Sequence, residues 1–595
     1  MRFSIFYEHQ LPRPWDAEAE HRLLKEALEQ VELADRLGYD TVWAGEHHFL
    51  EEYSHSSASD VFLAAAAART KDIRLGFGVL PLPPAYQHPA RVAETVATLD
   101  LISAGRVELG TGESSSGAEL AGFGVDRDNK RAQWAEAIEV VARMMVEEPF
   151  AGVDGRYVTM PPRNVVPKPL QKPHPPLWVD CSRRETVRLA AEKGLGALGL
   201  AFVEPEEAKV WVDEYYDILI SERCVPAGFA VNPNVAVTLP MMVHAEEAEA
   251  IERGIDGAHF FGFARGHYTV FGEHEPGRTS VWEDFLARRE DVGFARSVIE
   301  ADGAPLGVRI LQRGLAALRG AIGTPQQLRD LVRRYEDAGV DELILVLQSG
   351  KTEHAHIMEA LELFASEVMP EFAARRPEGE AAKRARLGDA ITRALARRPP
   401  PKTAAPGSTF GPGDSGGPAA TADAATGAGG DDGTGGAGAG AGRAALAGAS
   451  ATLRRTLEAR GERALVAFVK RSGDRRLERT VGSRPGLKAL FAGMERQFVA
   501  ERAAGFTGDI RYELRGADGD VRIWTVTVDG DRARARPGGA PDPKLTIKMT
   551  LADFVRLAGR DLDPVKALLS GRLDLAGDFA VAARLGEMFG QPSAF

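Results

Sequence analysis

Between residues 1 and 370, short apolar runs alternate with stretches of helical period, and that alternation restricts the fold more than anything else in the chain. The runs are Arg2–Glu8, Thr41–Ala44, Ile73–Leu80, Val107–Gly110, Leu177–Asp180, Ala197–Leu200, Val235–Val243 and Glu342–Leu347. Between them the spacing predicts helices over Glu18–Leu37 (stopped by Gly38), Ser59–Arg69, Pro89–Ile102, Asn129–Glu147, Arg184–Lys193 and Pro325–Ala338, with a last one over Glu353–Val368. Pro89 falls in a first turn, where its missing N–H costs nothing. Apolar strands separated by helices call for a parallel sheet covered by helices. Eight of them in this length fit an α/β fold closed as a (β/α)8 TIM barrel better than an open sheet. Ile251–Gly323 is too long for one connection and reads as an insertion over the barrel mouth.

At 595 residues the chain exceeds one hydrophobic core, so further domains are expected. Its net charge of −12 gives no footprint for nucleic acid. Cys181 and Cys224 provide neither a disulfide framework nor a cysteine metal site, and no metal is expected. The N-terminal MRFSIFYEHQLPRPWD turns acidic too soon for a signal peptide. No apolar run reaches the ~20 residues that span a bilayer, so a cytoplasmic protein is the expectation.

In such a barrel, chemistry sits at the carboxyl ends of the strands. The second strand ends in Glu46, His47, His48 and Phe49. For a lone histidine pair, packing and capping would be the ordinary reading; its neighbours at the other strand ends alter that. The third strand runs into Gly76-Phe77-Gly78-Val79, and the fourth into Gly110-Thr111-Gly112-Glu113-Ser114. Glycine there lets a flat ligand approach the backbone. After the fifth, Cys181-Ser182-Arg183-Arg184 opens a helix, where N–H groups, a hydroxyl and a guanidinium suit a phosphate. Together these ends point to a planar cofactor bearing phosphate. His55, His354 and His356 read as surface or structural residues.

The stretches DTVWAGEHHF, HPARVAETVATLDLISAGRVELGTG, AGFGVDRDN, GTPQQLRDLVRRYEDAGVDELIL and HIMEALELFASEVMP together resemble the bacterial luciferase-like family of flavin-dependent monooxygenases. The resemblance implies reduced FMN at the strand ends, with Glu46, Gly78, Val79, Gly110, Thr111 and Gly112 around it. It also implies a non-prolyl cis peptide at about Gly78–Val79, and often a dimer. The first histidine of EHH, His47, carries over as acid/base, with His48 in support. The phosphate region carries over to Glu113, Ser114, Ser182 and Arg183. Glu113 stands where an arginine is expected, which leaves Arg183 or Arg184 to compensate, and Gly112 stands where luciferase has a reactive cysteine.

After Pro370 the composition changes. Ala373–Arg398 is basic and Ala-rich, with helical character, and Arg397–Arg443 is dominated by Gly, Ala, Pro, Ser, Thr and Asp. Such a segment cannot bury enough surface to offset chain entropy. The expected organisation is a barrel at 1–370, a flexible linker at 371–443, a helical entry segment at 444–486 and a small α+β domain at 487–595. In the last, Leu487–Ala503 has helical spacing, Gly508–Arg515, Val521–Asp529 and Arg532–Ala535 form an antiparallel meander, and Lys544–Met549 adds a strand. Helices at Leu551–Ala558 and Pro564–Ser570, a strand at Leu573–Ala576 and a helix at Phe579–Phe589 follow. The stretch PKLTIKMTLADFVRLAGRDLDPVKALLSGRLDLAGDFAVAARLGEMF resembles the sterol carrier protein type 2 (SCP2) domain. That implies a lipid- or sterol-binding tunnel, with Trp524, Phe554, Leu557, Leu568, Leu569, Met588 and Phe589 as lining candidates; core packing explains each of them equally well.

The expected activity is therefore oxygenation of a hydrophobic small molecule by reduced FMN. In the absence of a nicotinamide fingerprint, a separate flavin reductase would supply the reduced flavin, and the C-terminal domain would hold the substrate nearby. A deazaflavin-dependent hydride transfer and a lipid carrier with a degenerate barrel are the alternatives.

Overall fold

The structure is a computed structural model. It describes residues 1–200, 202–289, 320–409, the short strands at 308–310 and 316–318, and much but not all of 469–589. The chain divides into two compact units, the first holding nearly all of residues 1–419 and the second nearly all of 420–595.

All eight expected barrel strands form: β1 (Arg2–Tyr7), β2 (Thr41–Ala44), β3 (Arg74–Pro81), β4 (Val107–Gly112), β5 (Leu177–Asp180), β6 (Gly196–Gly199), β7 (Val235–Val243) and β8 (Glu342–Val346). Each pairs in parallel with its chain neighbour, and β8 returns beside β1, so the sheet closes. Ala321–Gly323 adds a short strand alongside β7.

The barrel floor is filled by two indoles. Trp43 and Trp178 meet edge to face with centroids 5.5 Å apart. Trp43 lies in register with Gly76 of β3, and Trp178 with Gly196 of β6. A Cβ on either glycine would stand 2.3 Å from the facing indole, so the ring fits because its neighbour has no side chain.

Three features depart from the sequence reading. Pro205–Ile220 is a helix that the spacing did not single out; its buried face mixes Trp211, Tyr215 and Tyr216 with Ala208, Val212, Ile218 and Leu219. Glu247–Gly266 is a second, followed by a π-helical turn at His267–Phe271 and a helix at Val281–Arg288. This described part of the expected insertion is pinned by Glu52, whose carboxylate accepts the N–H groups of Val281 (2.5 Å) and Trp282 (3.1 Å). Lastly, the boundary at 371 moves. Met369–Arg397 is one helix, burying Met369, Phe372, Leu387, Ala390 and Ala394. Arg376 pairs with Asp40, just before β2, and Lys383 Nζ lies 2.6 Å from Asp341, just before β8. The helix therefore closes the N-terminal face of the barrel, and backbone bonding to the barrel persists to Ala404. Most of the expected 371–443 linker beyond that point, and much of the 444–486 segment, lies outside the described residues.

In the second unit, β9 (Gly508–Arg515), β10 (Val521–Asp529), β11 (Arg532–Pro537), β12 (Leu545–Thr550) and β13 (Leu573–Gly577) form one sheet in the order 11-10-9-12-13. The expected meander covers only the first three. Because β10 is flanked on both sides, β12 takes the free edge of β9 and pairs with it in parallel. Phe491, on the helix Arg484–Gln497, stacks on Trp524 at 4.5 Å and on Phe554 at 5.1 Å. Met588 and Phe589 are buried in the same core, with Leu557 packed against it. Leu568 and Leu569, with most of the expected helices at Pro564–Ser570 and Phe579–Phe589, lie outside the described residues.

The floor packing sets a prediction. Gly76→Ala drives a methyl into Trp43 and is expected to destabilise the barrel by about 1–3 kcal/mol in urea unfolding. Gly379→Ala, on the helix over the N-terminal face with nothing within 4 Å of its Cβ, is expected to stabilise it by up to ~1 kcal/mol.

Candidate functional site

At the carboxyl ends of the strands lies a cleft of about 1180 Å³, its open mouth included. Its walls bring together Glu46, His47, Gly78, Val79, Gly112, Glu113, Ser114, Ser182 and Arg183, contributed by the ends of β2, β3, β4 and β5. Three expected residues stand outside it. A Cβ on Gly110 would meet the Phe77 carbonyl at 2.1 Å, so this glycine serves strand packing. Thr111 is fully buried, its hydroxyl donating to the Trp178 carbonyl (2.9 Å) and accepting from the Trp134 indole (3.1 Å). His48 turns away to pack edge-on against Phe123, with centroids 4.8 Å apart, and lies 3.5 Å from Glu46.

His47 is held by two carboxylates that its own stretch of sequence does not contain. Its Nδ1 lies 3.1 Å from Glu119 and its Nε2 3.5 Å from Glu8, and its side chain is 26% exposed. Glu8 follows β1 directly, and its carboxylate fits beside Gly45, where a Cβ would stand 2.4 Å away. Glu119 sits on the short helix Gly117–Gly122 and also accepts the His48 N–H (3.0 Å) and the Ser114 hydroxyl (3.0 Å). Burial works to lower the His47 pKa, but the Glu8 and Glu119 charges outweigh it and hold the imidazole well above its ordinary value. Burial likewise raises Glu119, but His47 and the three hydrogen bonds outweigh it, leaving its carboxyl below the usual range. The Tyr53 hydroxyl donates to Glu8 at 3.3 Å.

The same cleft is lined by Ser114, Ser115 and Ser116 and by Ser182, Arg183 and Thr186, the last three around the start of the helix Arg184–Glu192. Lys130 and Arg131 join this group without having been singled out in the sequence. They explain Glu113: its carboxylate lies 3.5 Å from Lys130 and 3.2 Å from Arg131, so it is neutralised. Of the two arginines expected to compensate, Arg183 lines the cleft, whereas Arg184 bonds Glu214 at 2.6 Å. Hydroxyls, a helix start and cations suit a phosphate. The Gly78–Val79 peptide, which also lines the cleft, is cis, where the resemblance placed it. The buried Glu8 Oε2, Asp180 Oδ1 and Thr238 Oγ1 have no hydrogen-bond partner, as polar atoms that await a ligand would. This donor set fits a planar cofactor with a phosphate tail.

Residues 1–342 match the family described as luciferase-like monooxygenase, and the chain belongs to that family. Residues 487–590 match the SCP-2 sterol transfer family. Among individual relatives, the oxygenase component of a flavin-dependent trigonelline monooxygenase from Acinetobacter baylyi is 24% identical over 62% of this chain and 96% of its own. A 4-hydroxyprotoasukamycin monooxygenase from Streptomyces nodosus subsp. asukaensis is 39% identical over 21% of this chain and 33% of its own. The first curated relatives are matched over 66%, 48% and 33% of their lengths. The crystal structure of the monooxygenase RslO1 from Streptomyces bottropensis aligns over 62% of this chain and all of its own, with 25% identity and a TM-score of 0.47. No helix among the described residues is long and apolar enough to cross a membrane.

The sign of the His47 coupling can be tested. A raised histidine pKa contributes stability that is full below 6.5 and lost as pH rises through the folded value. A depressed Glu119 contributes stability above 4.5 that is lost as pH falls through its folded value. NMR titration of His47 is expected to give a midpoint above 6.5, which Glu119→Gln moves down.

Proposed function

We propose that the N-terminal unit is a flavin-dependent monooxygenase that uses reduced FMN and oxygen on a largely apolar small molecule. The observation that carries this reading is that one cleft holds both the Glu8–His47–Glu119 array and a phosphate-type donor set. Ser114, Ser115, Ser116, Ser182, Arg183, Thr186, Lys130 and Arg131 would hold the phosphate, and Gly78, Val79 and Gly112 would border the ring. Bound reduced flavin supplies the electrons that activate oxygen. The protein's own part is to keep the reacting centre dry and to manage a proton. Leu50, Tyr53 and Phe261 wall the cleft with apolar surface, which excludes water. His47 keeps its proton near neutral pH and presents it at the cleft, and the unpartnered Glu8 oxygen beside it can take one up.

The C-terminal domain would bind lipid- or sterol-like molecules and hold the barrel's substrate at high local concentration. The match to the SCP-2 family and the large apolar side chains of its core support this reading. The reduced cofactor would come from a separate reductase, a reading supported by a relative that is itself an oxygenase component.

His47→Ala is expected to leave FMN affinity nearly unchanged while lowering product formation about 10²–10⁴-fold. Lys130→Ala combined with Arg183→Ala is expected to weaken FMN about tenfold or more without affecting riboflavin. Preferential binding of a deazaflavin, with no oxygen consumed, would overturn the FMN reading. A chain ending at Ala404 is expected to lose turnover on long-chain substrates much more than on short ones. Equal, small losses would remove the delivery role.

A further inference from the structure

Four basic side chains line the cleft, and two of them are already neutralised. Lys130 pairs with Glu113, and Arg131 with Glu113 and Glu185. Arg183 and Arg265 form no ion pair with any described residue. Arg183 stands in the phosphate group of donors, so the proposed cofactor accounts for it. Arg265 belongs to a different wall. It is in the last turn of the helix Glu247–Gly266, the element that covers the cleft. One guanidinium nitrogen donates to the Leu200 carbonyl at 2.6 Å, which fixes the side chain against the end of β6. Its backbone carbonyl accepts the Thr269 hydroxyl at 2.8 Å. The remaining N–H groups make no other hydrogen bond among the described residues. An immobilised, half-buried guanidinium with no carboxylate partner has unspent capacity for an anion or a carbonyl oxygen.

Its surroundings narrow the ligand. Besides Glu8 Oε2, the buried and unpartnered polar atoms of the residues lining the same cleft are Thr238 Oγ1 on β7, Asp180 Oδ1 at the end of β5 and the Tyr268 hydroxyl. Burial raises the Asp180 carboxyl above its ordinary value against the pull of the Arg265 charge, and no ion pair joins the two. Apolar side chains line the cleft as well: Leu50, Leu200 and Phe261, with Tyr53 against Phe261 at a centroid distance of 5.7 Å.

We propose that Arg265 is a specificity-determining residue that binds a carboxylate or carbonyl oxygen at one end of an otherwise apolar substrate. This rests on the oxygenase reading for its consequence, but not for its test. The guanidinium fixes the oxygen, the Thr238 hydroxyl supplies a further donor, and the hydrocarbon lies along Leu50, Leu200 and Phe261.

The test uses the full chain with three probes of one length: octanoate, methyl octanoate and octylammonium. Binding is read from the His47 ring resonance in histidine-labelled protein, assigned by its loss in His47→Gln. That signal is local to the cleft, so binding elsewhere in the chain does not register. Octanoate or methyl octanoate is expected to shift the resonance, and octylammonium to leave it unmoved. A clear preference for octanoate identifies the carboxylate, and equal affinities identify the carbonyl oxygen. Arg265→Met is expected to weaken the acceptor-headed probes about tenfold or more while keeping FMN affinity within about twofold. Arg265→Gln, which keeps a donor for the Leu200 carbonyl, carries the same expectation should the Met variant fail to fold. Octylammonium binding as well as octanoate, an unchanged octanoate affinity in both variants, or no shift with any probe overturns the proposal. Failure of the unmodified chain to bind FMN would instead overturn the oxygenase reading and leave the probe ranking to decide Arg265 by itself.

Discussion

Everything above the barrel floor depends on two indoles filling it. Trp43 and Trp178 are buried completely, and each N–H needs an acceptor there. Glu342 accepts from Trp43 at 2.9 Å and Glu108 from Trp178 at 2.7 Å. Those buried carboxylates need compensation in turn: Arg2 lies 3.3 Å from Glu342 and Arg74 2.5 Å from Glu108. Burial still pushes Glu342 up against the pull of Arg2. Such pairs add little net stability, because desolvation offsets their attraction. Their role is to satisfy the indoles. With the floor filled and the helix Met369–Arg397 closing the N-terminal face, the cleft opens at the carboxyl ends of the strands.

The upper storey reverses that chemistry. On the floor, both indole N–H groups find carboxylate acceptors, although Arg2 Nη2 and Glu342 Oε2 meet only as an ion pair; in the cleft, side-chain oxygens of Glu8, Asp180 and Thr238 are left without a partner. Glu8 has one oxygen engaged by Tyr53 and His47 and one unpartnered. Gly45 makes this arrangement possible, since any side chain there would occupy the place of the Glu8 carboxylate. The carboxylates of Glu8 and Glu119 thereby raise the His47 pKa against the effect of burial. A proton held between two carboxylates is stable in a partly dry site, where a solvent-exposed imidazole near its ordinary pKa would gain and lose it freely.

How much of this could be read from the sequence depended on the range of the signal. The eight strands were legible because apolar runs bounded by glycine, proline and charged residues are local features, and Thr41–Ala44, Leu177–Asp180 and Val235–Val243 form with the bounds expected. His47 was legible because it ends such a run. Its partners were not: Glu119 is 72 residues away, and an acidic residue in a loop reads as a solvated one. Gly110 and Thr111 were assigned to the cleft because β4 was expected to stop at Gly110, whereas it continues to Gly112. That two-residue extension keeps both inside the sheet and leaves only Gly112 at the rim. The docking of Met369–Arg397 was hidden because its contacts are ion pairs to residues preceding distant strands, among them Asp40 and Asp341.

The distribution of charge then accounts for the shape of the site. Lys130, Arg131 and Arg183 gather on the side of β4 and β5, whereas Arg265 is delivered by the covering helix and fastened to the end of β6. The imidazolium is flanked by acids and belongs to neither group. Had the basic residues been collected on one wall, the cleft would have formed a single anion site, with the cofactor phosphate and the substrate competing for it. On the proposed reading, separating them would give two acceptor-binding regions, with His47 committed to neither. That arrangement suits a reaction in which a phosphate-anchored ring and an oxygen-bearing molecule must be held together without exchanging places.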